Sequence, residues 1–322
     1  MTPDNLKISV SDAASSPDAL AGAYVALGNF DGVHKGHQAV AGLAVAAARK
    51  AGRPSAAAVF TPHPRAFFQP EGPPLRLQSD AQRARALRAC GVDHVVEIVF
   101  DAAMANLSPD AFADIILQSR LNVAGVAVGL DFRYGKGRAG DVASLAQEGQ
   151  RLGFAVAVAD AVDDADHPGD KISSSAIRTA LAQGDVAHAA RLLGRPWAVE
   201  GTVIEGAKRG RTINFPTANI ALGTYVRPAF GVYAMRVRMR DGTEHGGVAN
   251  VGVKPTVQDT PASPLLETHL FDVSQDLYGQ TLEVAFEAFI RPEKKFESFE
   301  ALTTQIAADA ATARRLLSPA AP

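Results

Sequence analysis

The chain holds a single cysteine, Cys90, among 322 residues, which excludes an intrachain disulfide framework and makes a reducing compartment the plain expectation. Its thiol is expected to be a buried, structural one. No basic run of any length interrupts a net charge of −2, so nucleic acid is not an expected partner. No window approaches the roughly 18 consecutive apolar residues of a membrane span. The opening stretch, MTPDNLKISVSDAASSPDAL, lacks the charged-then-apolar pattern of a secretory signal, so the expected place of work is the cytoplasm, with no membrane partner. The pattern G-x-x-x-x-G-K-[ST] is missing too, which excludes a P-loop enzyme. Neither an internal repeat nor a low-complexity tract is evident.

What is present centres on GNFDGVHKGH, Gly28 to His37. Before it, Tyr24 to Leu27 is a short apolar run that reads as a buried strand. After it, Gln38 to Lys50 is Ala-rich and free of proline, which predicts a helix. A Gly-containing turn between a strand and a helix gathers backbone N–H groups and the positive end of the helix dipole at one spot, where they can hold a phosphate. His34 and His37 are three residues apart and share a face if both lie in the first helical turn. Two imidazoles facing a phosphate site suit the stabilisation of a phosphoryl group in transit. A zinc site is the rival reading, but no Cys or carboxylate cluster lies at ligand spacing nearby.

From Ala23 to about Leu193, apolar runs alternate with helical ones. Strands are expected at 56–60, 95–100, 123–128 and 155–159, and helices at 79–89, 109–119 and 141–152. That alternation predicts a doubly wound parallel sheet, whose ligands sit beyond the carboxyl ends of the strands. The polar motifs follow strands accordingly. In FTPHPR, Phe60 to Arg65, two prolines fix a turn and leave His63 and Arg65 to face a phosphate. In GLDFRYGKGRAGD, Gly129 to Asp141, the glycines allow close backbone approach, while Arg133, Lys136 and Arg138 supply positive charge. In KISSSAIR, Lys171 to Arg178, either Ser173 or Ser174 can cap a helix, with Arg178 one turn beyond Ser174 on the same face.

Residues 182–195 read as a helix ended by Gly194-Arg195-Pro196. From Trp197 onward the chain consists of short strand-like runs separated by Gly and Pro turns, at 197–203, 231–239, 247–251, 265–271 and 282–290. They predict a small antiparallel barrel closed by a helix over 298–317, and hence domains at 1–190 and 191–322. This second domain carries EGAKRGRTINFPTANI, Glu205 to Ile220. Gly206 and Gly210, with Lys208, Arg209 and Arg211, make a flexible cationic flap suited to polyphosphate. Thr217 and Asn219 are two residues apart, so on an extended backbone they project to one side and offer hard oxygen ligands to Mg²⁺.

Together these motifs resemble those of the nucleotidylyltransferase superfamily and, over residues 23–316, those of the prokaryotic bifunctional riboflavin kinase/FAD synthetases. H-x-G-H after GNFDG is similar to the superfamily's first signature and KISSSAIR to its second. Pro-Thr-Ala-Asn after a Gly/basic flap is similar to the riboflavin kinase signature. Ala249 to Gly252, Leu266 to Leu270 and Ile290 to Phe296 look like further riboflavin kinase landmarks. The resemblance implies an α/β doubly wound nucleotidylyltransferase domain followed by an antiparallel β-barrel kinase domain with a C-terminal helix. It implies two reactions, phosphorylation of riboflavin by ATP to FMN, then adenylylation of FMN to FAD with release of pyrophosphate.

The same resemblance implies roles for residues. His34, His37, Ser174 and Arg178 would serve adenylyl transfer, the last two on the β- and γ-phosphates of ATP. Gly28, Asn29, Phe30, Asp31, His63, Asp131, Phe132 and Arg138 would contact nucleotide or flavin. Glu267 would take the proton from the ribityl 5′-hydroxyl. Gly206, Lys208, Gly210, Arg211 and Arg291 would bind the kinase's substrates, with Thr217 and Asn219 holding Mg²⁺ and ATP as co-substrate. The chain departs from the family in having Thr61 where many members carry Asp, and Asn214 where Gly is common. Two other readings stay open. One is a nucleotidylyltransferase acting on another phosphate, with a barrel that only binds flavin; the other is a flavin sensor that binds without turnover.

Overall fold

Alanine and valine dominate the strands of the first sheet, and their alternation sorts two cores. The computed structural model describes residues 7–10, 20–205, 215–252 and 264–318. The chain divides into two compact units, Met1–Gly72 with Asp80–Ser173, and Pro73–Ser79 with Ser174–Pro322. In the first unit the strands are β1 (Ile8–Val10), β2 (Tyr24–Leu27), β3 (Ser55–Thr61), β4 (His94–Val99), β5 (Gly125–Gly129) and β6 (Ala155–Ala159). They lie in the order β1-β4-β3-β2-β5-β6. The strands β2 to β6 pair in parallel, as the alternation predicts. At the edge, β1 pairs antiparallel with β4; three residues, Ile-Ser-Val, are too short to announce a strand. Val123 donates to the Leu117 carbonyl, which ties it to the preceding helix and delays β5 to Gly125.

Both faces of this sheet are covered, which is why its strands are apolar on both sides. On one face Val25, Leu27, Ala56, Ala58, Val96 and Ile98 pack with Phe112, Ile116, Leu117 and Leu145. On the other Ala26, Ala57, Val59 and Val95 meet Val40, Ala41, Ala44 and Leu87. The covering helices are α1 (Lys35–Ala51), α2 (Pro64–Phe68), α3 (Asp80–Ala89), α4 (Ala102–Ala105), α5 (Pro109–Phe112), which widens into a helix reaching Arg120, and α6 (Val142–Leu152). The alanines of α1 let its backbone lie close against the small strand residues.

The second unit is a nearly closed antiparallel barrel. Its strands are β7 (Trp197–Thr202), β8 (Ala218–Ala221), β9 (Gly231–Arg238), β10 (Glu244–Gly252), β11 (Leu265–Leu270) and β12 (Thr281–Pro292), in the order β7-β12-β9-β10-β11-β8. A bridge between Ile204 and Asn219 brings the two ends of that order together. Trp197, Tyr233 and Phe286 fill the interior, with ring centroids 4.6 and 5.0 Å from Phe286. The helix expected to start near Ser173 or Ser174 is α7 (Ser174–Ala182), and the one expected over 182–195 is α8 (Val186–Leu193). Gly184, at φ 80°, turns the chain, and Asp185 restarts it by accepting from the His188 amide at 2.9 Å. Pro73–Ser79 runs through this unit, where the Leu77 carbonyl accepts from Trp197 Nε1 at 2.7 Å.

The final helix, α9 (Phe299–Leu317), lays Ala310, Ala313 and Leu317 over Val232, Ala234 and Val248. It is also fastened by Asp309, 4% exposed, which takes two guanidinium nitrogens of Arg291 on β12 at 3.0 and 2.7 Å and Gln305 Nε2 at 2.8 Å. Asp309→Ala takes the carboxylate partner from that largely buried guanidinium and leaves it the Pro292 carbonyl alone, a loss of about 3 kcal/mol. Calorimetry on the variant should place the thermal midpoint roughly 6–12 °C below that of the parent.

Candidate functional site

In the first unit the site grows from the carboxyl end of β2. Gly28 continues the strand by donating to the Ala58 carbonyl at 3.2 Å. The chain then turns sharply, with Phe30 at φ 51°, Gly32 at 92° and Val33 at 43°, and enters α1 at His34. There the imidazole acts as the helix cap, its Nδ1 accepting from the His37 amide at 3.3 Å. Because Nδ1 is an acceptor, the ring proton of the neutral form sits on Nε2. The His34 and His37 rings stack at 3.6 Å and 17°, and Phe30 meets His37 edge-on at 5.2 Å. A Cβ on Gly36 would lie 3.2 Å from two atoms of the His34 ring, so the glycine of H-x-G-H is what lets that ring lie back over the helix start. Phe30, Asp31 and His34 are all buried. Among the described residues no three-ligand cluster of His, Cys, Asp or Glu includes either histidine.

The neighbouring turns contribute less than the sequence suggested in some places and more in others. His63 caps α2, its Nδ1 accepting from the Arg65 amide at 3.1 Å. In the glycine-rich loop, Tyr134 and Gly140 exchange backbone hydrogen bonds at 3.1 and 2.9 Å. A Cβ at Gly140 would strike the Tyr134 ring at 2.5 Å. Asp131 is exposed and ion-paired with Lys171, whose hydrogen bond holds its carboxyl below the usual range. Phe132 stacks on Tyr134 at 5.7 Å and 14°. Arg138 takes a left-handed conformation at φ 59°, whereas Arg133 is turned to Asp141 at 3.5 Å. One feature escaped the sequence reading. Phe68, Phe67, Phe100, Phe60, Phe112, Tyr134 and Phe132 form a continuous run of rings, each 5.2–6.4 Å from the next. Phe68 stands 64% exposed at its end. The adjacent pair Phe67-Phe68 after the proline turn was the available signal.

Ser174 and Arg178, expected on the N-terminal side of a boundary near residue 190, lie on α7 in the second unit. There Arg178 Nε donates to the Leu75 carbonyl at 2.7 Å.

The barrel's polar site is set by strand register. Glu267 on β11 lies directly opposite Asn219 on β8 and, on its other side, opposite Asn250 on β10. Facing pairs in an antiparallel sheet project to one side with Cβ atoms about 5 Å apart. Asn250 Nδ2 donates to Glu293 Oε1 at 3.2 Å. Asn219 is 4% exposed, and its Nδ2 donates to the Thr217 carbonyl at 3.4 Å. Its Oδ1 is buried without a hydrogen-bond partner, which leaves an acceptor unsatisfied unless a ligand or ion meets it. Thr217 and Asn219 line a cleft of about 590 Å³, counting its open mouth, together with Pro216, Gln275, Asp276 and Tyr278. Arg291 is in the same transverse line, opposite Val232 on β9, which faces Asn250, but it is held by Asp309. Gly206, Lys208, Gly210 and Arg211 lie outside the described residues.

Comparison with known proteins gives concordant matches. The FAD synthetase family model matches residues 16–176 and the riboflavin kinase model residues 193–317. The bifunctional riboflavin kinase/FMN adenylyltransferase of Pseudomonas fluorescens is 42% identical over 300 residues, covering 93% of this chain and 94% of that one. Its counterpart from Escherichia coli (strain K12) is 41% identical over 293 residues, covering 91% and 92%. A solved structure described as a macrolide-efflux protein from Streptococcus pneumoniae superposes with a TM-score of 0.81 at 30% identity, over 97% of this chain and 96% of that one. Among the described residues here, no helix is long and apolar enough to cross a membrane.

Proposed function

Since the chain belongs to the bifunctional riboflavin kinase/FMN adenylyltransferase family, we propose that it makes FMN from riboflavin and FAD from FMN, consuming one ATP in each step. The observation that carries this reading is the presence of two separate polar constellations, one in each unit. They are the stacked imidazoles at the start of α1 and the Asn219–Glu267 pair across β8 and β11. We assign adenylyl transfer to residues 1–190 and phosphorylation to residues 191–322, and cytoplasm as the compartment.

In the kinase step Glu267 accepts the proton of the ribityl 5′-hydroxyl as that oxygen attacks the γ-phosphorus, and ADP leaves. The oxygens of Thr217 and Asn219 fit Mg²⁺, since both residues line the cleft and the buried, unpartnered Asn219 Oδ1 is a hard neutral oxygen. When bound, the ion would neutralise charge on the ATP phosphates. In the second step a phosphate oxygen of FMN attacks the α-phosphorus of ATP and pyrophosphate leaves, so no protein nucleophile is required. His34, His37 and the amides at the start of α1 stabilise the charge that develops there. The exposed end of the ring run, at Phe68, and the partly buried Phe132 stacked on Tyr134 offer apolar faces for the flavin ring system.

The test is to incubate the purified protein with riboflavin, ATP and Mg²⁺ and to separate the flavins over time. FMN should appear first and FAD follow, with ADP and pyrophosphate as co-products. FAD from supplied FMN, without FMN from riboflavin, would leave the barrel as a binding module. Retention of flavin with neither product would make the protein a sensor.

A further inference from the structure

The carboxyl ends of β2 and β3 are tied together by one buried cation that none of the motifs contains. Arg83, in the first turn of α3, is 5% exposed, and a guanidinium is costly to bury unless its donors are met. Its Nη2 donates to Asp80 Oδ1 at 2.8 Å and to Thr61 Oγ1 at 3.0 Å, and its Nη1 reaches the Asn29 carbonyl at 3.4 Å. Thr61 is the last residue of β3, just ahead of the turn that sets His63. Asn29 opens the turn that sets His34. A single planar group therefore spans two loops that sit where a parallel sheet binds its ligands.

The first of those loops needs holding. Phe30 and Val33 are non-glycine residues at positive φ, a conformation that persists only where the surroundings enforce it. Gln38 Nε2 secures the far end by donating to the Val33 carbonyl at 3.0 Å, and Arg83 secures the near end at Asn29. The next elements of the chain after that loop are the stacked imidazoles, so an error in its path is passed directly to their position.

We propose that Arg83 is a positioning residue for adenylyl transfer: it fixes the separation of the GNFDG and TPHP turns, and so the placement of His34 and His37, without touching substrate. The planar guanidinium has diverging donors that reach acceptors at the end of β3 and in the turn after β2 at once. A lysine carries the same charge at a single point and cannot hold both. The inference rests on the assignment of FMN adenylylation to this part of the chain.

The experiment uses the full-length protein with FMN, ATP and Mg²⁺, quantifying FAD and pyrophosphate, and measures riboflavin phosphorylation on the same preparations. Arg83→Met should lower kcat for FAD formation about 10- to 100-fold, because small misplacements of catalytic groups are that costly. The KM for ATP should change less than kcat does, and the kinase rate should stay at the parental value. Thr61→Val, which removes one acceptor with little change of shape, should lower the same kcat by about threefold to tenfold. Arg83→Lys should recover only part of the loss. The double variant Arg83→Met/Thr61→Val should be no worse than Arg83→Met alone, since the contact that Thr61→Val breaks is one of those that Arg83→Met has already removed. Should Arg83→Met lose both activities through misfolding, Thr61→Val and Arg83→Lys decide. Full FAD formation by Thr61→Val, or independent additive losses in the double variant, overturns the proposal. A parent protein that makes no FAD overturns the functional reading instead, and an active parent with silent variants overturns only the role of Arg83.

Discussion

Glu267→Ala is expected to lower riboflavin phosphorylation by about 10²- to 10⁴-fold, the range in which a positioned general base contributes, and to leave FAD formation from supplied FMN unchanged. The separation follows from where the side chain stands. Along β11 the buried positions are Leu266, Thr268 and Leu270, so residue 267 is turned to the opposite face and its truncation opens no cavity in the barrel. On that face its cross-strand neighbours are the carboxamides of Asn219 and Asn250, and the strand ladder that carries it is unaffected by the side chain. Glu267→Gln sharpens the comparison, because it keeps the shape and the hydrogen-bonding reach while removing the proton acceptor; it should be nearly as inactive as the alanine variant. Initial rates of FMN and FAD formation, measured on the same enzyme, check the result. Equal loss of both activities, or an unimpaired kinase in the glutamine variant, would remove Glu267 from its role.

How much of this was legible before the fold depends on how local the cause is. The strand at 24–27 and the strand at 155–159 match their expected bounds because short apolar runs flanked by helix formers leave few alternatives. Thr217 and Asn219 both line one cleft, but so does Ala218 between them, and Thr217 precedes β8, so the alternation that suggested the pair is not what brings them together. The partner of Glu267 was not legible, since cross-strand register is decided by the pairing of β8, β11 and β10, segments separated by tens of residues. For the same reason Arg83 read as an ordinary helical cation: only the convergence of β2, β3 and α3 makes it a link. Pro73–Ser79 carries no motif that would place it with the second unit, yet hydrogen bonds from Trp197, Arg178 and Arg195 to Leu77, Leu75 and Gln78 hold it there. Cys90, expected to be a buried structural thiol, is half-buried on α3's C-terminal side, where its thiol donates to the Ala86 carbonyl.

His37→Ala should stop the chain of reactions at FMN, lowering FAD formation by about 10²- to 10³-fold, as removal of a transition-state hydrogen-bond donor does. The geometry makes this residue, rather than His34, the clean probe. It is the His37 backbone amide that His34 Nδ1 accepts, and an alanine at position 37 retains that amide, so the cap of α1 and the setting of His34 survive. His34→Ala, by contrast, would also remove the cap, with a stability cost of about 1 kcal/mol superimposed on the chemistry. Loss of the His37 ring takes away its stack on His34 at 3.6 Å and its edge contact with Phe30 at 5.2 Å. The position is half-buried and lies at the helix start rather than in the sheet-facing core of Val40, Ala41 and Ala44. With riboflavin and ATP supplied, the variant should accumulate FMN at the parental rate, because the barrel is untouched. An undiminished rate of FAD formation would mean that the paired imidazoles shape the helix start and take no part in adenylyl transfer.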